Sequence, residues 1–151
     1  MAVTTSLGTT ISVVAGAPAT YDEAGFGALT FVQAGEVTEL GEFGGEAEVL
    51  THTPIDTGIV NKFIGPIDYG ALSLSMGRDL SDAGQALLKE GFDGTEKGNT
   101  HSFEVEYFDG GIEYFTGIIT SYTSNVGSAS NVRNASCNVA LNNKVVVVDP
   151  V

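Results

Sequence analysis

Two stretches late in the chain alternate strictly between apolar and small polar residues, and this period of two constrains the fold more than any other feature. In "ALSLSMG", Leu72, Leu74 and Met76 point one way, and Ala71, Ser73 and Ser75 the other. In "NASCNVALN", Ala135, Cys137, Val139 and Leu141 oppose Asn134, Ser136, Asn138 and Asn142. Each is a strand with one buried face and one wet face that carries no bulk. With 20 Gly, 4 Pro and no Trp in 151 residues, the rest reads as short strands joined by tight turns around one moderate core. "TISVVAG" and "FGALTFVQAG" supply two early strands, while residues 1–8 read as a flexible N-terminal arm.

One segment breaks the pattern. "LSDAGQALLKEGFDG" predicts a helix, with Ser81 or Asp82 as cap, Gln85 as capping-box partner, and Gly91 as the stop, where Phe92 closes over Leu87. Leu80, Ala83, Leu87, Leu88 and Phe92 are its expected core side, and Gln85, Lys89 and Glu90 its wet side. Gly84, costing about 1 kcal/mol against Ala, marks either a close backbone approach or a tolerated defect.

The segment "HSFEVEYFDGGIEYFTGIIT" reads as a hairpin turning through Asp109, Gly110 and Gly111. One side is expected to hold Phe103, Val105, Tyr107, Ile112, Tyr114 and Ile118. The other would hold Glu104, Glu106 and Glu113 with Phe108 and Phe115. Between Gly41 and Tyr69 the apolar residues Phe43, Val49, Leu50, Ile55, Ile59, Val60, Phe63 and Ile64 follow no sustained period. That predicts a long loop, and a loop so apolar signals contact with a partner.

Site chemistry is sparse. His52 and His101 lack the spacing of a zinc site, and no nucleophile elbow, Walker loop or EF-hand loop occurs. Paired carboxylates would suit a glycosidase, but the aromatic sugar platforms are missing. Neither an enzyme nor a cofactor is expected. Cys137 stands alone in an alternating strand, which points to a core thiol and a reducing site of synthesis, and no run approaches a membrane span. The net charge of -13 opposes affinity for nucleic acid and anionic membranes. No Lys or Arg precedes Lys62, while Glu36, Glu39, Glu42, Glu46 and Glu48 all do.

In its order of elements the chain resembles the tail tube (major tail) proteins of long-tailed bacterial viruses. The likeness runs through "VTELGEFGGEAEVL", "THTPIDTG", "ALSLSMGRD", the helix, the "FEVEYFDGGIEYFTG" hairpin and "RNASCNVALNNKVVVV". The resemblance implies a two-sheet β-sandwich with one flanking helix and a long loop. Residues 1–151 would form a single tail-tube domain without a decoration domain, and six subunits would close a hexameric ring around an inner β-barrel. Rings would stack into a tube in the virion tail, made in the host cytoplasm. Its partners would be further copies, a tape-measure protein, and tail-tip and tail-terminator proteins, with double-stranded DNA passing unheld and no membrane involved.

On that view Glu46, Val49, Leu50, Thr51, Pro54, Ile55, Ile59 and Phe63 form the inter-ring loop. The lumen candidates are Glu36, Glu39, Glu42, Glu48, Glu104, Glu106 and Glu113 with Ser73, Ser75, Asn134, Ser136 and Asn138. A carboxylate wall would repel phosphate and let DNA slide. Two alternatives stand beside it: a tube of a contractile tail or secretion system, and a soluble β-sandwich binding module.

Overall fold

The computed structural model describes residues 3–150 and draws most of its strands into a single antiparallel sheet. In chain order the elements are β1 (Thr10–Ala15), α1 (Glu23–Gly27), β2 (Val32–Ala34), β3 (Val37–Leu40), β4 (Glu46–His52), β5 (Asn61–Asp68) and β6 (Ala71–Gly77). They are followed by α2 (Ala83–Asp93), β7 (His101–Glu106), β8 (Ile112–Asn125), β9 (Asn134–Leu141) and β10 (Val146–Val148). The main sheet runs β2-β1-β7-β8-β9-β6-β3, with β10 also on β8.

Strand β8 makes this possible. Its first half, from Ile112 to Gly117, pairs with β7, and Ile112 to Tyr114 also pair with β10 on the opposite flank. Its second half, from Gly117 to Asn125, pairs with β9 across a bulge between Ile119 and Ser121. One strand of 14 residues therefore serves both halves of the sheet, bending where a bulge increases the local twist. Ile11, Val13, Phe103, Val105 and Phe115 from one half and Leu72, Leu74, Met76, Cys137 and Val139 from the other bury into one core. Leu88 of α2 joins them at 1% exposure.

The expected sandwich, ring and barrel are corrected here. The main sheet is open, ending on β2 and β3, and the second sheet is only the β4–β5 hairpin. No sheet closes on itself, and the described chain holds neither a barrel nor a hexameric ring. Gly35 and Glu36 link the two edge strands through the chain alone.

Several local expectations also change. The long loop is the β4–β5 hairpin, whose bulge between Ala47 and Val49 breaks the period that would have revealed it. "FGALTFVQAG" yields only the short β2, because Asp22 caps α1 by accepting from Gly25 N–H at 2.8 Å and draws Phe26 into that helix. In the β7–β8 hairpin Phe103 pairs with Phe115 and Glu104 with Tyr114. Phe115 is thus on the core side and Tyr114 on the Glu104 side, the reverse of the sequence assignment, because Tyr107 to Gly111 form a connection that shifts the parity of β8. Of the expected N-terminal arm, residues 1 and 2 lie outside the described residues. Residues 3–8 carry no strand or helix, and Thr9 N–H donates to Ser6 O at 3.1 Å.

In α2 the cap is Asp82, whose Oδ2 accepts from Gln85 N–H at 2.9 Å. The core face differs from the predicted stripe. Leu80 precedes the helix and is 71% exposed, Ala83 is exposed, and Leu87 and Phe92 are half-buried against the core. Gln85, expected wet, is 1% exposed. Its Nε2 donates to Gly35 O at 3.0 Å and Gly77 O at 2.8 Å, and its Oε1 accepts from Asp79 N–H at 3.0 Å. Asp82 Oδ2 also accepts from Gly35 N–H at 3.0 Å. A buried amide thus satisfies backbone groups that the ends of β2 and β6 leave unpaired. Gly91 does not stop the helix, which runs to Asp93. It lets the helix approach β7 and β8, since a Cβ there would meet His101 Nε2 at 2.9 Å.

Candidate assembly surface

The β4–β5 hairpin is held by its own ladder, from Glu46 opposite Asp68 to His52 opposite Asn61. Its tip turns through Gly58, which adopts φ +65° and donates its N–H to Pro54 O at 2.9 Å. Residues facing each other across a ladder share a side, so Val49 and Ile64 lie on one side and Leu50 and Phe63 on the other. All four are exposed, Ile64 at 78%, and among the described residues β4 and β5 pack mainly on each other. Ile55 and Ile59 are exposed at the tip.

The structure thus brings Glu46, Val49, Leu50, Thr51, Pro54, Ile55, Ile59 and Phe63 onto one hairpin. Sequence reasoning left out Ile67, which is exposed beside them on β5. A two-stranded hairpin alone in water is at best marginally stable. One that is apolar on both sides has the character of a surface awaiting a partner.

A second surface lies on the outer face of β3, β6, β9 and the second half of β8. Ser73 faces Asn138 and donates to its Oδ1 at 2.7 Å, and Ser75 lies between Glu39 and Ser136. Asn134 completes the row opposite Gly77. Ser121, Thr123 and Asn125 extend the same face along β8, a contribution hidden by the bulge that resets that strand's alternation. The result is an open wall of hydroxyls and amides with Glu39 as its acid.

The remaining lumen candidates are elsewhere. Glu36 sits between β2 and β3 with φ 60°, and Glu42 follows β3. Glu46 and Glu48 belong to the hairpin, and Glu104, Glu106 and Glu113 lie on β7 and the first half of β8. Burial raises the Glu104 carboxyl, and the nearby Glu106 adds to this, while a hydrogen bond with Tyr114 pulls the other way. Tyr107 is pushed up to about 12 by burial and then by the charge of Glu113.

Glu104 has a measurable consequence. A carboxyl whose folded pKa is raised holds its proton more tightly in the native state. Its stabilising contribution is therefore fully present below the ordinary carboxylate range and is lost as pH rises through the folded value. Glu104→Gln should therefore melt above wild type near neutrality and converge with it in acid. Melting curves across that range test this, and a pH-independent difference would refute it.

Among the described residues, no group of three or more His, Cys, Asp or Glu is placed to hold a metal ion. Cys137 is buried and its thiol is pushed up to about 12 by that burial, which keeps it from acting as a thiolate. His101 is wholly buried, with its Nδ1 3.0 Å from Asn99 O and its Nε2 lacking a partner against Gly91. No helix among the described residues is long and apolar enough to cross a membrane.

No protein-family model matches the sequence, and no curated protein matches it. Solved structures do share its fold. The chain is similar to one in the six-fold symmetrised cryo-EM structure of the anti-feeding prophage baseplate, at TM-score 0.67 and 8% identity, over 98% of this chain and 97% of the other. It is equally similar to a chain of the PVC extracellular contractile injection system, from its sheath/tube terminator in the extended state, at TM-score 0.67 and 9% identity over 99% of both chains. A chain from the tail of an empty gene transfer agent particle, refined helically with C6 symmetry, matches at TM-score 0.64 and 16% identity, over 93% of this chain and 95% of the other. The chain therefore has the fold of subunits found in tails and contractile injection systems.

Proposed function

We propose that this protein is a structural subunit that assembles with copies of itself into the tube of a contractile tail or injection system. The observation that carries the proposal is the β4–β5 hairpin, apolar on both sides and covered on neither. A monomeric binding module would gain nothing from such an element, whereas a stacking subunit buries it against its neighbour. The fold supports the kind of assembly, since similar chains come from structures treated with six-fold symmetry. On that pattern the copies stack on one another within a tail or injection particle. Tape-measure, tail-tip and terminator proteins would act as its assembly partners.

The outer face of Ser73, Ser75, Asn134, Ser136, Asn138 and Glu39 suits the lining of such a tube. A wall without Lys or Arg exchanges no counterions with a polyanion, so it grips neither a nucleic acid nor an acidic protein in transit. A second reading, passage of double-stranded DNA through a non-contractile tail, is favoured by the similarity to the gene transfer agent tail. The net charge of -13 fits it as well.

The test is direct. Purified protein taken to rising concentration should give rings or tubes in negative-stain electron microscopy and a matching rise in sedimentation. A chain that stays monomeric at every concentration and salt would overturn the proposal.

A further inference from the structure

We infer that the side-chain amide of Gln85 is a clip by which α2 holds the edge strand β3 on the main sheet, and that β3 leaves the sheet as a unit when the clip opens. Nothing in this depends on the assembly proposed above.

Strand β3 is weakly attached by its own ladder. It pairs with β6 alone, through Val37 opposite Met76, Glu39 opposite Ser75 and Leu40 opposite Leu74, and a bulge between Val37 and Glu39 interrupts these pairs. Among the described residues no strand lies beyond it. Val37 and Leu40 are its contacts with the core, and both are only half-buried. By contrast β9 is paired on both flanks, with β6 from Asn134 to Ala140 and with β8 along its whole length.

The turn that leads into β3 works against the strand. Gly35 and Glu36 carry the chain from β2, at one end of the sheet order, to β3, at the other. Glu36 makes this crossing at φ 60°, the one positive φ of a non-glycine residue among those described. In that region an L side chain crowds its own backbone. Such a conformation persists only where the surroundings over-determine it.

Those surroundings come chiefly from α2. The Gln85 Nε2 bonds to Gly35 O and Gly77 O tie the turn to the end of β6, and Asp82 Oδ2 holds the Gly35 N–H. Gly77 N–H donates in turn to Glu36 O at 2.7 Å. Three backbone groups of the turn are thus fixed, two of them by the helix. Because Gln85 is 1% exposed, solvent does not compete for its bonds. Without the amide, Gly35 O and Gly77 O lose their partner and nothing on α2 but Asp82 opposes the strain at Glu36. The element that yields is the one held by three interrupted pairs. A displacement of α2 is therefore transmitted to β3, whose departure bares the edge of β6.

Hydrogen exchange followed strand by strand decides it. Gln85→Met keeps the length of the side chain and removes its polar groups, and the amides from Val37 to Gly41 should then exchange roughly tenfold faster or more, while those of β9 change much less. Glu36→Gly relieves the strain at an exposed position and should slow the same β3 amides several-fold. That second variant leaves the buried amide in place, so it decides the matter even if Gln85→Met fails to fold. Equal acceleration of β3 and β9 in Gln85→Met would show that the amide merely supports the whole core and would overturn the clip. Unchanged β3 exchange in Gln85→Met, or β3 exchange that is unchanged or faster in Glu36→Gly, would overturn it too.

Discussion

Replacing Leu50, Phe63 and Ile64 together with Thr is expected to abolish assembly and leave the melting temperature of the monomer close to wild type. Thr is β-branched and favours the strand conformation, so the ladder from Glu46 to Asp68 is retained. The three side chains are exposed and contribute nothing to the core cluster, so the folded chain loses little when they become polar. In an assembly the balance differs. Burying a large apolar side chain is worth about 1.5–3 kcal/mol, so even partial burial of three per contact amounts to about 4 kcal/mol, or roughly a thousandfold in assembly concentration. Sedimentation and thermal melting separate the outcomes. Assembly at the wild-type concentration would show that the hairpin is not the contact. A collapse of the melting temperature would place these residues in the subunit's own core instead.

The same hairpin shows what a sequence hides. β6 and β9 are legible because one side of each meets the core and the other meets water. Leu72 and Ser73, or Cys137 and Asn138, therefore differ in the way the environment requires. Neither side of β4 or β5 meets the core, so nothing imposes contrast between successive residues, and the bulge at Ala47 removes what period remains. Burial supplied by another copy leaves apolar residues in a chain without leaving a rhythm. The reading of this segment's structure as a loop did not survive that loss.

Local chemistry was legible as well. Asp82 and Asp22 cap their helices through their own neighbours, but only Asp82 stood before a segment long enough to be read as helical. What depended on distant parts of the chain was not accessible. The sides of β8 follow from the connection Tyr107 to Gly111 and from the bulge after Ile119, and each moves the alternation by a step. The acids suffered accordingly: Glu39 falls on the polar wall, while Glu104 is half-buried on the other half of the sheet beside Tyr114. Gln85 looked like a solvent-facing residue because its partners, Gly35 O and Gly77 O, are 50 and 8 residues away.

Gly84→Ala sets two effects of opposite sign against each other, and the contact geometry decides between them. Ala is favoured over Gly inside a helix by about 1 kcal/mol, so propensity alone predicts a more stable protein. The glycine, however, lies on β2. A Cβ at position 84 would fall less than 3.0 Å from Ala34 Cα and Gln33 O, atoms of a strand that cannot swing aside as a flexible side chain does. The helix must therefore retreat, at a typical overpacking cost of about 1–3 kcal/mol. Retreat also strains the bonds that Gln85 and Asp82 make to Gly35 and Gly77, and each buried polar group left unpaired costs about 1–3 kcal/mol more. The sum exceeds the propensity gain. Gly84→Ala should lower stability by about 2 kcal/mol or more, a fall of about 4 to 8 °C in a chain of this size. Ala86→Gly, at an exposed position two residues on, isolates propensity and should cost about 1 kcal/mol with the packing untouched. Thermal melts of the two variants settle the balance: if Gly84→Ala melted above wild type, the helix would not lie against β2 as closely as the structure places it.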